Sequence, residues 1–173
     1  MGLVDRLLRR TPVPAGSVGR LEDDEDVLAV AEVRTGHLVA TRFGMWVPGE
    51  DGPLRLEWHL VSRATWDGAT LEFTVAEQTG TAGYAVLLAD VQRRSYALAD
   101  PGRLPQVVNQ RVTASVRSAH RRELPGGGAW FVQRSLPGRS GVQLQVRVDP
   151  GTDPDVVADV AAAVAAALPR ARA

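Results

Sequence analysis

The stretch 54–75, LRLEWHLVSRATWDGATLEFTV, alternates apolar and polar side chains on both sides of an Asp67-Gly68 pair. Leu54, Leu56 and Trp58 interleave with Arg55, Glu57 and His59, and beyond the pair Leu71, Phe73 and Val75 recur at the same spacing. A period of two sorts side chains onto the two faces of a strand, which a helix cannot do. Asp-Gly is a strong hairpin signal because its residues accept the positive φ of a tight turn. The stretch therefore predicts antiparallel β structure.

The neighbouring segments extend the pattern. Strands are predicted over 27–34 and 37–42 around Thr35-Gly36, over 45–47 after a bend at Gly44, and over 54–59, 61–66 and 70–76. PGEDGP at 48–53 supplies turn chemistry. Residues 78–83 read as a loop, 84–89 as a compact apolar run and 93–98 as a further strand. Leu104, Val108, Val112 and Val116 recur every fourth residue and predict an inserted helix over about 103–117. Strands 120–124 and 129–135 flank a PGGG tip, and 142–148 alternates again. Asp153 and Pro154 suit a helix start, giving a closing helix over about 154–168 that Pro169 ends. The fold class is α+β, mainly antiparallel β: a small barrel or strongly bent sheet with one inserted helix and one capping helix. Residues 1–20 read as a short amphipathic helix and linker, and 21–170 as one β-rich domain. The acidic run 22–26 could bind a cation, but with no matching ligand cluster elsewhere it reads as a solvated lead-in to the first strand.

Composition removes several functions. Twenty basic and twenty acidic side chains cancel, so no global field draws the chain to nucleic acid or anionic lipid. All twenty basic residues are arginine, scattered along the chain, and without lysine there is no phosphate loop. There is no cysteine, which excludes disulfides and thiolate chemistry and fits the cytoplasm. No apolar run is long enough to span a membrane. Residues 2–10 could make weak peripheral membrane contact or join a partner, but docking on the domain or disorder is the simpler expectation.

Candidate chemistry is sparse. His37, His59 and His120 show no metal-ligand spacing, so no metal or cofactor is expected. His59 stands out because Glu57 lies two residues before it and Trp58 flanks it, yet a simple ion pair explains that arrangement. Trp46, Trp66 and Tyr84 could edge a small-molecule pocket, although tryptophans in such strands commonly pack inward. The candidate binding residues are thus Trp46, Trp58, His59, Trp66 and Tyr84, and none is assigned a catalytic role.

LVATRFGMWV, a Pro/Gly turn, RLEWHLVSRATWDG and LEFTV together resemble bacterial pleckstrin-homology-like domains. Thr41-Arg42-Phe43-Gly44 and the later Leu60-Val61-Ser62 carry the resemblance, which covers 27–76 and, loosely, the closing helix. The helix over 104–116 departs from it. The resemblance implies binding or scaffolding. It does not imply phosphoinositide recognition, since the first hairpin offers only Arg34 and Arg42. The expected function is a non-enzymatic cytoplasmic domain that binds a protein partner or itself. The alternatives are a small-molecule-binding barrel and, third, an enzyme using Glu57 and His59.

Overall fold

A computed structural model describes residues 12–137 and 141–168. The predicted amphipathic helix at 2–10 lies outside the described residues. Among the described residues, ten strands form two sheets. β1 (Val27–Val33), β2 (Gly36–Thr41), β3 (Gly44–Val47) and β4 (Leu54–Glu57) make an antiparallel meander, here sheet A. A single 3-10 turn, Trp58–Leu60, carries the chain into sheet B. Sheet B holds β5 (Val61–Trp66), β6 (Thr70–Ala82), β7 (Ala85–Ala97), β8 (Val116–Leu124), β9 (Gly127–Ser135) and β10 (Val142–Val148), in the order β5-β6-β7-β10-β9-β8. It curls into a half-barrel whose end strands, β5 and β8, do not pair. The α+β, mainly antiparallel architecture with a bent sheet, an inserted helix and a closing helix is present as the alternation implied.

The side chains bury in two cores. Leu38, Met45, Trp58, Leu71 and Phe73 form the first, between sheet A, β5–β6 and helix α1 (Leu104–Ala114). Ala85, Phe131, Leu144 and Val146 form the second, under helix α2 (Pro154–Ala167). α2 contributes Val157, Ala161 and Ala165, a stripe at four-residue spacing narrow enough for close approach to the sheet. Asp153 caps it, its side chain accepting from the N–H groups of Asp155 and Val156.

Two local expectations are corrected, and one strand pairing lies outside what the sequence pattern addressed. The loop foreseen at 78–83 is strand: β6 and β7 form one hairpin of thirteen residues a side, turning at Gly83-Tyr84, where Gly83 has φ +58°. Bulges at Val75/Ala76 and Gln78/Gly80 break the period of two there. The helix over 103–117 stops at Ala114, and Val116 opens β8 opposite Arg134. Ser115 explains the stop: its hydroxyl donates to the Val112 carbonyl, and its own carbonyl accepts from the Ser135 N–H at 2.8 Å. Finally, β7 and β10 pair in parallel, Ala85 with Leu144 through Leu88 with Arg147. The connection between them contains α1, β8 and β9.

Candidate functional site

Residues 17–25 cross the outer face of sheet A at an angle to its strands. Ser17 hydrogen-bonds His37 of β2 at 3.2 Å, Gly19 passes against the Trp46 ring of β3, and Glu22 pairs with Arg55 of β4 at 2.7 Å. Val39, Trp46 and Arg55 are cross-strand neighbours, so the crossing follows one row of side chains. The stretch read as a linker is therefore laid on the sheet.

Glu25 ends the crossing, and here the acidic run departs from expectation. Its side chain is buried, not solvated. One carboxylate oxygen accepts from the Thr41 hydroxyl at 2.7 Å and the Trp46 indole N–H at 3.1 Å. The other accepts from Arg55 Nη1 at 2.7 Å and the Glu22 N–H at 3.2 Å. Burial alone would raise its pKa; the Thr41, Glu22 and Trp46 hydrogen bonds and the Arg55 charge outweigh that and hold it below the ordinary glutamate range. The guanidinium of Arg55 also lies over the Trp46 ring, 5.8 Å from its centroid.

This crossing forms one wall of a cleft of about 740 Å³ where sheet A meets sheet B. Arg20, Leu21, Glu22, Asp23 and Asp24 line that wall, while Arg55 and Glu57 come from β4, Phe43 from the turn between β2 and β3, and His59 from the 3-10 turn. Gln78 of β6, Gln143 of β10 and Leu136-Pro137 close the far side. Among the described residues, four carboxylates of the lining face two arginines, and Arg55 is already engaged by Glu22 and Glu25. Glu57 Oε2 lies 3.3 Å from His59 Nε2, with the two side chains 45% and 17% exposed.

Two arginines of sheet B fix the floor of this junction. Arg134 Nη1 donates to the Trp58 carbonyl and to Ser115 Oγ, each at 3.1 Å, and Arg147 Nη2 donates to the His59 carbonyl at 3.1 Å. Successive carbonyls of the 3-10 turn are thereby tied to β9 and β10. Burial, assisted by the charge of Arg147, pushes the Arg134 pKa down to about 10. Arg147 is also lowered by burial, against the opposing pull of Asp90.

The structure scatters most of the residues singled out from sequence. Trp58 is fully buried, its indole N–H donating to the Thr41 carbonyl at 3.0 Å. Trp46 is buried beneath the crossing and borders a second hollow, of about 560 Å³. Trp66 is half-buried and lines a third, of about 480 Å³, beside Pro101, Pro105, Gln106 and Asn109 at the start of α1. Tyr84 stands exposed at the β6–β7 tip. Leu71, opposite Trp66, precedes Tyr84 by about thirteen residues, roughly 40 Å of extended chain, so these rings do not edge one pocket. Only His59 and its neighbour Glu57 reach the large cleft. Its carboxylates at 22–24, the Glu25 node, Gln78, Gln143 and the two buried arginines had no signal of their own. Among the described residues, no three His, Asp or Glu side chains converge to hold a metal, and no helix is long and apolar enough to cross a membrane.

Comparison with protein-family models, with curated proteins and with solved structures finds no match to this chain.

Proposed function

We propose that the chain is a non-catalytic binding module of the cytoplasm whose cleft takes a cationic segment of a protein partner. One observation carries the reading: a cleft of about 740 Å³ lined by Glu22, Asp23, Asp24 and Glu57 against Arg20 and Arg55, with Arg55 already held by carboxylates. Small-molecule pockets bind chiefly through apolar walls. Here Leu21, Phe43, Leu136 and Pro137 form only a minority of the lining, so charge is the main attraction on offer. The 3-10 turn carrying His59, tied to β9 and β10, supports the same reading, because a preformed site orders little on binding. The resemblance of 27–76 to pleckstrin-homology-like binding domains points the same way, and the cysteine-free composition suits the proposed compartment. On this reading Glu57 and His59 shape the potential of the cleft.

The test is fluorescence anisotropy with labelled arginine-rich and glutamate-rich peptides of equal length. The arginine peptide should bind, and the triple change Asp23→Asn, Asp24→Asn, Glu57→Gln should weaken it by about tenfold, roughly 1.4 kcal/mol. Equal binding of both peptides, or no effect of the triple change, contradicts the reading.

A further inference from the structure

We propose that the partner segment docks as an added β-strand on the outer edge of β4, alternating apolar and basic residues; this rests on the acidic-cleft reading above. Among the described residues, β4 is the last strand of sheet A and pairs only with β3. The Trp58 N–H donates to the Phe43 carbonyl, so in an antiparallel ladder Leu56 and Leu54 also turn their peptide groups toward β3. The intervening Arg55 turns its N–H and C=O outward, and Glu57 its N–H. Among the described residues, nothing bonds these outward groups.

The edge opens into a hollow, which is what an incoming strand requires. The hollow of about 560 Å³ is lined by Leu54 and Leu56 from one face of β4 and by Arg55 and Glu57 from the other. Lining drawn from both faces places the hollow along the strand's edge. Leu60 and Val75 form its floor toward sheet B, and Leu54 is 47% exposed there. The hollow runs into the acidic cleft, since Arg20, Glu22, Arg55 and Glu57 line both.

Two features of the occupant follow. A strand paired with β4 shares its alternation, so every second side chain meets the apolar shelf of Leu54, Leu60 and Val75. The side chains between them lie beside Glu22 and Glu57, where arginine or lysine is favoured. The edge strand β8 of sheet B is a weaker candidate: its exposed Arg121 and Arg122 are held by Asp149 and Glu123 and by the Phe131 ring, in the manner of an edge protected against pairing.

The test uses the full chain and peptides that alternate valine and arginine. A control peptide of the same composition has its valines and arginines in separate blocks. Two further peptides carry N-methyl groups on one or the other alternate set of amides, because only one set can face β4. The alternating peptide should bind at least about tenfold more tightly than the block peptide, and methylation of one set alone should abolish binding. The Arg55 and Glu57 amides should become protected from hydrogen exchange in the complex. Equal binding of alternating and block peptides, still weakened by the triple carboxylate change, overturns the strand-addition mode and leaves the acidic-cleft reading standing. Binding by none of the peptides overturns both. Protection of the two amides that rises with protein concentration in the absence of peptide overturns the proposal in favour of self-pairing.

Discussion

Glu25 shows how a single residue can organise a site without a signal of its own. Four donors from four parts of the chain surround its carboxylate, and removing the charge leaves those buried donors without a matched acceptor. Glu25→Gln should therefore cost about 2–3 kcal/mol in urea unfolding near pH 7, the range for hydrogen bonds to a charged group. The pH dependence has a definite sign. The folded pKa lies below the unfolded one, so the stabilisation is fully present above the ordinary glutamate range. It is lost as pH falls through the depressed folded value. Wild type should lose more stability than Glu25→Gln between about pH 6 and pH 3; parallel loss in the two proteins would remove Glu25 from that role. The node was illegible because Glu22 to Asp26 are locally alike. Only the crossing of sheet A brings Arg55 to Glu22 and Glu25 and buries Glu25, thirty residues from that arginine, while its neighbours stay exposed. The inward tryptophans were easier: Trp58 keeps the alternation of Leu54 and Leu56, and burial follows from it.

At the level of elements, what was legible depended on whether the signal was local. Strand alternation and turn chemistry between 27 and 76 place the strands of the first half well. The far half of β6 escaped because it is polar, largely exposed and bulged, so no single face repeats. Val116 misled because its four-residue spacing continues the stripe of α1, while Ser115 and its bond to Ser135 decide the outcome. The triple glycine, by contrast, was correctly placed as a hairpin tip, and the structure supplies its reason. Gly126 has φ +84°, and a Cβ there would lie 2.3 Å from the Gly151 carbonyl oxygen. The tip nests against the loop before α2, with Thr152 Oγ1 accepting from the Gly128 N–H at 3.0 Å. Gly126→Ala should cost about 2–3 kcal/mol, combining backbone strain with the displaced loop. Gly80→Ala, where the nearest atom is Leu87 Cδ1 at 3.8 Å, should stay within about 0.5 kcal/mol of wild type. Equal effects by thermal or chemical denaturation would show that the nesting does not constrain the tip.

For the whole molecule, the long-range pairings matter most and were the least visible. The parallel register of β7 with β10 brings Gln78 and Gln143 to opposite strands of one wall, and the two arginines of β9 and β10 fix the turn between the sheets. Nothing within any short window encodes those meetings. The zero net charge was equally silent, because it averages over a surface on which the carboxylates at 22–24 and 57 gather at one cleft. The most direct test is a nuclear magnetic resonance titration of the full chain with the alternating valine–arginine peptide. The account predicts amide shifts concentrated on residues 20–24, 54–60, 78, 136–137 and 143. Shifts centred instead on β8 or on the hollow beside Trp66, or no shifts at all, would contradict it.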